Sequence, residues 1–300
     1  MLRALLDAWR EDLRYRVSRV KSRMKFMVDD LGPEGMRAEV ERRLGYALPD
    51  FPLPPLDGQF ADHVGVQGQK QEGLTAIGIP VHLGLVSGEQ LLAIGTLLEE
   101  LGGEARVTRQ QNLVLANVPD AAVDATVARL HALGLPLDTN PIRGGSIACT
   151  GEPHCNYSVT ETKTRLASLV DALEARFGDD VAPLRLHLDG CPHACAQHWV
   201  GDLGFQGTTA RDEEGKRQQA FDVYLRGALG PRAAIGRPVF RRVPTQDLDE
   251  LVGRLVSGWL ERRVDDEDFR SFCDRVDDDE LGELAGREPA KPRAAREEAA

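Results

Sequence analysis

Four cysteines in two short segments are the residues of this chain whose types and spacing point most directly to chemistry. Cys149 and Cys155 form a C-x5-C pair, and after 35 intervening residues Cys191 and Cys195 form a C-x3-C pair. Four thiolates on two short loops are a ligand set for a metal centre. The fifth cysteine, Cys273, has no other cysteine near it in the sequence and is predicted to be a core thiol.

The cysteine spacing favours one kind of metal centre over another. Structural zinc sites usually take their ligands from C-x2-4-C knuckles, whereas a five-residue gap allows each sulfur to occupy a separate corner of a 4Fe-4S cube. Zinc is the alternative that the spacing leaves open. A disulfide framework is typical of small secreted chains and does not suit an acidic chain of 300 residues.

The residues around the second cysteine pair extend the motif. The segment from Gly190 to Cys195 reads G-C-P-H-A-C, and a glycine-rich run from Gly201 to Gly207 follows it. C-x5-C followed by G-C-P-x-x-C and such a run resembles the sirohaem and 4Fe-4S domain of the nitrite and sulfite reductases. His193 stands where that family commonly has Asn, and its ring could donate a hydrogen bond to a carboxylate or a cluster sulfur.

The resemblance implies a ligand set and two cofactors, a 4Fe-4S cluster and sirohaem. It implies that Cys195 is also the axial ligand that bridges the cluster to the sirohaem iron. The implied cluster ligands are Cys149, Cys155, Cys191 and Cys195.

Two further segments resemble parts of the family that reach sirohaem. Arg106, Thr108, Gln111 and Asn112 match an R-x-T-x-x-Q-N segment that faces the cofactor. Sirohaem carries many carboxylates, so a protein that buries it needs cations and hydrogen-bond donors, preferably Arg. Lys70 lies in a glycine-rich loop at residues 65–73 that is similar to a cofactor-reaching loop, although an ordinary surface hairpin explains that composition equally well.

The hydrophobic pattern before these segments predicts a helical connector followed by a Pro-rich linker over residues 1–56. Apolar residues at three- and four-residue steps predict one basic amphipathic helix over residues 2–31. A second helix is predicted from Glu34 to about Leu44, after Pro33. Four prolines between Pro49 and Pro55 favour an extended linker.

The rest of the chain is predicted to be of the α+β class. Residues 57–140 resemble the ferredoxin-like half-domain of the same reductases, with a strand at 74–83, a helix from the N-cap Ser87 to Leu101, strands at 106–108 and 113–118, and a helix at 121–133. Residues 141–280 resemble the sirohaem and 4Fe-4S domain. Its predicted strands cover 146–148, 184–188, 220–225 and 239–243, and its predicted helices cover 157–177 and 248–260. Residues 281–300 are predicted to be a disordered tail, because large apolar residues become scarce there.

The resemblance implies a six-electron reduction of a small anion with electrons from a donor such as ferredoxin. Glu161-Thr162-Lys163 is similar to a segment of the nitrite-reducing branch and favours nitrite to ammonia, with sulfite to sulfide as the alternative. A non-catalytic zinc or cluster module is the competing hypothesis from another class. Family members usually carry two copies of this unit and this chain has one, over residues 12–275, so the substrate-gripping cations are expected from a second half or a homodimer partner.

Composition excludes two other classes of partner. A net charge of −11 argues against non-specific binding to nucleic acid, which requires a basic surface. No apolar run approaches the roughly 20 residues that cross a bilayer, so no membrane is expected. The first residues lack the long apolar region of a signal peptide, so a cytoplasmic location is expected.

Overall fold

The computed structural model of the chain describes residues 1–18, 22–50 and 63–291, which divide into two units at about residue 57. The first unit has α1 at Leu2–Glu11 and α2 at Met24–Leu44. The single helix predicted for residues 2–31 is therefore wrong. Asp12 is extended and its carboxylate accepts the backbone N–H of Arg14, which ends the first helix and starts a short 3-10 turn.

The predicted second helix of this unit is present as the later part of α2. Gly32 has a φ of 67° and interrupts the helix, and Pro33 follows it. Buried Ala8, Tyr15 and Met27 belong to the core of this unit. The predicted Pro-rich linker falls mostly outside the described residues.

The second unit begins with a four-stranded antiparallel sheet of order β1-β2-β4-β3. Ser87 is the N-cap of its first helix, as the sequence predicts, and the structure adds a reciprocal capping box with Gln90. Gly102 ends that helix in a left-handed conformation. The elements are β1 Gly65–Gly68, β2 Leu74–Ile79, α3 Gly88–Leu101, β3 Glu104–Val107, β4 Leu113–Pro119 and α4 Val123–Ala132. Their buried core includes Ile77, Leu97, Leu115 and Leu130.

A second sheet has the order β5-β6-β7-β8-β9, in which β5, β6 and β7 are parallel and β7, β8 and β9 are antiparallel. Its elements are α5 Pro141–Gly145, β5 Ile147–Ala148, α6 Lys163–Phe177, β6 Leu186–Asp189, β7 Leu203–Arg211, β8 Arg217–Leu225, β9 Arg237–Pro244, α7 Leu248–Arg262, α8 Phe269–Arg275 and α9 Asp278–Ala285. Because β5 and β6 are parallel neighbours, the loops that follow them leave the sheet at the same edge.

Besides shifts of a few residues at the ends of other elements, the structure departs from the sequence prediction in three places. The helix predicted from residue 157 begins at Lys163, because the preceding residues form turns against the cysteine loops. The glycine-rich run belongs largely to β7, for which the sequence predicts no strand. The predicted tail begins too early, because α9 continues to Ala285 and buries Leu281; residues 292–300 lie outside the described part of the chain.

A residue that follows the first sheet packs in the hydrophobic core of the second sheet. Leu83 follows β2 in sequence, yet its side chain belongs to the hydrophobic core of the second sheet together with Leu166 and Leu186. Cys273 lies in the same core, as predicted, and burial raises the pKa of its thiol. Within the described ranges, no helix is both long and apolar enough to cross a membrane.

Asp202 supports a pH-dependence prediction. It precedes β7, accepts the backbone N–H of Arg185 at 2.9 Å, and has its pKa raised to about 6 by burial. A carboxyl whose folded pKa lies above its unfolded pKa contributes stability below about pH 4 that is lost as the pH rises through 6. Asp202→Asn is therefore expected to stabilise the protein at pH 8 by roughly 2 kcal/mol and by much less at pH 4. Urea unfolding at both pH values measures this, and an equal effect at the two would contradict it.

Candidate metal centre

The two cysteine loops start from neighbouring parallel strands. Cys149 follows β5, and its backbone N–H donates to the Leu188 carbonyl on β6 at 3.0 Å. The backbone N–H of Gly190, which follows β6, donates to the Cys149 sulfur at 3.2 Å. The structure thereby places the C-x5-C and C-x3-C segments side by side at one edge of the sheet.

The thiols of these loops are free. All five cysteines lie among the described residues and none forms a disulfide. Burial raises the pKa of the Cys149 thiol, and the nearby charge of Asp189 raises it further. The pKa of the Cys195 thiol is also raised, by partial loss of hydration and by the charge of Asp189, although the residue as a whole is exposed. These two thiols are thus protonated at neutral pH in the metal-free chain, and a bound metal would displace their protons.

Glycines allow the two loops to approach each other closely. A Cβ on Gly190 would overlap the Ser158 hydroxyl, and a Cβ on Gly151 would overlap the side chain of Thr162. A Cβ on Gly207 would lie 2.5 Å from the backbone of Gly190. Gly151, Gly190 and Gly207 are therefore required because neighbouring atoms occupy the space that a Cβ would need.

Residues 158–162 join the two loops through hydrogen bonds. The Val159 N–H donates to the Gly190 carbonyl at 2.9 Å, and the Thr162 hydroxyl donates to the Cys149 carbonyl at 2.7 Å. Glu161 accepts the backbone N–H groups of Thr164 and Arg165, which satisfies donors of the first turn of α6. This segment connects both cysteine loops to the start of one helix.

The histidines beside the ligand cysteines occupy different environments. His193 Nδ1 lies 3.3 Å from the Cys191 sulfur, and the His193 ring packs edge-on against Tyr157 at 4.9 Å between centroids. The His193 ring is thus within hydrogen-bond distance of one candidate ligand sulfur, and its bond to a cluster sulfur stays a prediction. His154 is exposed and donates its backbone N–H to Gly151.

The donor set at this edge fits a 4Fe-4S cluster. A cube holds four separate thiolates, and four free cysteines stand on the two adjoining loops. In residues 1–18, 22–50 and 63–291, no three His, Cys, Asp or Glu side chains converge as ligands of a single ion. The fit therefore rests on the type of donor and the placement of the loops.

The R-x-T-x-x-Q-N segment forms the turn between β3 and β4. Thr108 and Asn112 close the turn through backbone bonds, and the Thr108 hydroxyl accepts the Asn112 N–H. Gln111 donates its amide to the Ala148 carbonyl at 2.9 Å, directly before Cys149. Lys163 donates to Gln111 at 3.1 Å and to the Leu83 carbonyl, and burial lowers the pKa of the Lys163 amine.

The side-chain amide of Asn112 makes hydrogen bonds within the protein. Its side chain is 2% exposed, accepts the Val81 N–H at 2.9 Å and donates to the Gly144 carbonyl at 2.9 Å. The amide thus links the first sheet to α5, and both its oxygen and its nitrogen already have backbone partners. Gln111 therefore joins its turn to the residue before Cys149, and Asn112 is a connection within the protein. That the segment faces sirohaem stays a prediction.

Arg106 faces a concavity of about 540 Å³ that is also lined by His63, Thr108 and Arg109. The Arg106 Nε donates to Glu104 at 2.9 Å, and the neighbouring Val107 is 84% exposed. Cations beside an exposed apolar residue are the kind of surface that a polyanionic tetrapyrrole requires, so the residues here fit sirohaem.

The structure does not bring Lys70 to these residues. Lys70 is exposed in the β1–β2 turn, at the end of the sheet where Leu74 pairs with Pro119. The β3–β4 turn is at the other end, where Ile79 pairs with Leu113. The interpretation of residues 65–73 as a surface hairpin is the one that the structure shows.

Sequence reasoning missed the polar residues of β6. Asp189 is 1% exposed and accepts three hydrogen bonds from the loop that carries Cys195, and His187 contacts the same loop. Their alternation with Leu186 and Leu188 was the available signal, since residues at i and i+2 of a strand share a face.

Comparison with known proteins identifies a matching domain family and relatives of this chain. Residues 67–133 match the nitrite/sulfite reductase ferredoxin-like half-domain. Sulfite reductase [ferredoxin] 1 of Mycolicibacterium paratuberculosis is 40% identical over 277 residues, which cover 90% of this chain and 50% of the relative. The chloroplastic ferredoxin-nitrite reductase of Zea mays is 35% identical over 277 residues, or 88% of this chain and 48% of the relative.

A solved structure agrees with the sequence relatives. The structure of the Mycobacterium tuberculosis NirA protein superposes with a TM-score of 0.81 at 35% identity, covering 89% of this chain and 50% of that protein. The chain spans about half the length of the curated relatives it matches. The chain thus carries the ferredoxin-like half-domain of the nitrite and sulfite reductases, and over most of its length it is homologous to about half of proteins of that family.

Proposed function

We propose that this chain is the cluster-bearing half of a ferredoxin-dependent reductase that carries out the six-electron reduction of a small oxyanion. The supporting observation is the contact of Gln111 with the Ala148 carbonyl. It joins the arginine-bearing β3–β4 turn to the strand that delivers Cys149. A surface suited to an anionic tetrapyrrole and a four-thiol edge are thereby parts of one packed unit.

The proposed cofactors are a 4Fe-4S cluster on the four loop cysteines and sirohaem beside it, with Cys195 as the shared thiolate. When bound, the pair would supply single electrons for the reduction of the substrate. Cys195 is the exposed member of the cysteine set, which suits a sulfur shared with a second group. His193 would direct a ring nitrogen at the Cys191 sulfur, and hydrogen bonds to sulfur are one way that a protein sets a cluster's potential.

The chain's own residues have distinct roles in this proposal. Arg106 would supply cationic hydrogen bonds to a tetrapyrrole carboxylate. Lys163 and Gln111 hold the turn after β3 against the first cysteine loop. The substrate-gripping cations and the docking site of a ferredoxin-type donor are proposed to require a second half, either another chain or a second copy.

Nitrite is the proposed substrate, and sulfite is the alternative. The choice of nitrite rests on the similarity of Glu161-Thr162-Lys163 to a segment of the nitrite-reducing branch. In the structure, Thr162 of this segment bonds the Cys149 carbonyl of the first cysteine loop. The relatives' names include both substrates. An assay with each anion separates them.

The first test is cofactor content after anaerobic expression with a supply of sirohaem. Wild-type protein is expected to show sirohaem absorption and to contain about five irons per chain, four in the cluster and one in sirohaem, with about four acid-labile sulfides. Cys195→Ser is expected to lose at least tenfold in bound cluster, together with the axial sirohaem signal. Cys273→Ala removes a cysteine from the core and is expected to retain both. Colourless protein with stoichiometric zinc would support the competing hypothesis of a zinc module and overturn the proposal.

The second part of the test measures turnover and assembly together. Ammonia formation from nitrite and sulfide formation from sulfite are followed with reduced viologen, alongside the solution mass. Ammonia as the main product supports nitrite, and sulfide as the main product would replace nitrite with sulfite. Cofactor loading without either product supports a half that needs its partner.

A further inference from the structure

The side chain of Asp189 is the centre of a buried polar group beneath the loop that carries Cys195. Its carboxylate accepts the backbone N–H of Ala196 at 2.7 Å, the backbone N–H of His198 at 3.1 Å and the ring Nδ1–H of His198 at 2.9 Å. Asp189 and His198 are both essentially inaccessible to solvent. A buried carboxyl group is stable only when its oxygens have such donors, so this loop conformation and the buried Asp189 side chain depend on each other.

His187 holds the same loop from two residues earlier on β6. Its Nδ1 lies 3.1 Å from the Gln197 carbonyl, and a carbonyl only accepts, so Nδ1 carries the proton. Burial lowers the pKa of His187 to about 4, which keeps the ring neutral at physiological pH. His187 and Asp189 share a strand face and together fix both donors and acceptors of residues 196–198.

The loop needs this support because its backbone is strained. Ala194 and Gln197 have φ values of 55° and 58°, in the left-handed region that residues other than glycine rarely adopt. Each such residue costs of order 1 kcal/mol or more and persists only when its surroundings fix it. Cys195 lies between these two residues, so the direction of its Cα–Cβ bond depends on both being held.

We propose that His187, Asp189 and His198 are positioning residues that aim the Cys195 thiolate at its metal centre. The proposal rests on the proposed 4Fe-4S function of the four cysteines. None of the three is assigned as a ligand; each acts through the backbone of residues 194–198. The His198 ring is itself fixed by edge-on packing against Trp199 and Tyr224, at 4.9 and 4.7 Å between centroids.

The decisive variant is Asp189→Asn, because it keeps the side-chain shape. Whichever way the new amide is oriented, its NH2 group replaces an oxygen that now accepts from an N–H, so one donor faces another. Asp202→Asn is the matched control. It neutralises a partly buried carboxyl that accepts one backbone N–H, that of Arg185, where β6 and β7 begin, at the opposite end of these strands from Gly190 and Cys191.

Two substitutions of His198 provide a second test that does not depend on whether Asp189→Asn folds. His198→Asn retains a donor close to the Nδ1 position, whereas His198→Leu removes it. We expect Asp189→Asn and His198→Leu to lose at least tenfold in cluster affinity during anaerobic reconstitution, and His198→Asn and Asp202→Asn to stay close to wild type. Cluster that remains in the two impaired variants is expected to show shifted EPR g values and a shifted midpoint potential, which a loss of global stability alone would not produce.

The outcomes separate the inference from the function on which it rests. Wild-type protein that binds no cluster would overturn both. A wild-type cluster together with unchanged affinity and EPR in Asp189→Asn and His198→Leu would overturn the positioning role alone. Equal losses in Asp189→Asn and Asp202→Asn, with wild-type g values in the remaining cluster, would reduce the role of Asp189 to general stability.

Discussion

Gly204→Ala is expected to destabilise the protein by about 3 kcal/mol or more and to displace the loop that carries Cys195. A Cβ at this position of β7 would overlap the carbonyl oxygen of His198 and lie 3.1 Å from the Cβ of Tyr224. The His198 carbonyl cannot move freely, because the N–H and the ring of the same residue are bound to Asp189. Either the strand or the loop must give way, and the loop is the strained partner.

Urea unfolding of the metal-free protein measures this loss, and cluster uptake measures the displacement. Gly95→Ala is the matched control, since Gly95 lies within α3 with open space around its Cα. That change is expected to stabilise the protein by about 0.5–1 kcal/mol. A Gly204→Ala protein within 0.5 kcal/mol of wild type that takes up cluster normally would show that the loop is not held as described.

Local signals in the sequence were sufficient for much of the fold. The α+β class is confirmed, and Ser87 with Gln90 three residues later marks the start of α3 as the structure has it. The helix predicted to begin at Leu248 is present and extends to Arg262. These features depend on hydrophobic period and cap chemistry, which a few adjacent residues contain.

The elements that the sequence prediction missed depend on distant contacts. β7 contains Gly204 and Gly207, which weaken a strand pattern but are required where His198 and Gly190 approach the backbone. The segment before α6 reads as helix, yet the Val159 N–H bonds to Gly190 and the Thr162 hydroxyl to Cys149. No local propensity specifies either contact, because each partner lies on a loop far away in the sequence.

In the candidate site too, the sequence predicts what local motifs specify and misses what distant contacts decide. The motif spacing was enough to pick out the cysteines, which the structure places on adjoining loops. The motif did not reveal that Asn112 is an internal connection. A match in residue type does not show which partners the side-chain oxygen and nitrogen of Asn112 bond. Asp189 passed unnoticed because a polar residue in a short strand reads as a solvent-facing position until its burial is known.

The internal connection made by Asn112 leads to the second large expected effect. Asn112→Leu is close in volume but leaves the Val81 N–H and the Gly144 carbonyl without their partner in a buried place. Each unsatisfied buried group costs about 1–3 kcal/mol, so the free energy of unfolding is expected to fall by about 2–5 kcal/mol. The change also releases the turn that holds Gln111 on the Ala148 carbonyl, and cluster uptake is expected to weaken with it.

Urea unfolding gives the free-energy change, and hydrogen exchange of the Val81 amide reports the lost bond directly. Gln246→Leu is the control, because this exposed amide bonds the side chain of Gln218 at the surface, and a surface change of this kind stays within about 0.5 kcal/mol. If Asn112→Leu matched this control and the Val81 amide kept its protection, the amide would not be what joins the first sheet to α5. If stability fell but cluster uptake did not, Asn112 would stabilise the fold without setting the position of Cys149 through Gln111. Because Gln111 and Asn112 are adjacent in one turn, the two measurements together decide whether that turn stabilises the fold alone or also sets the position of the first cysteine.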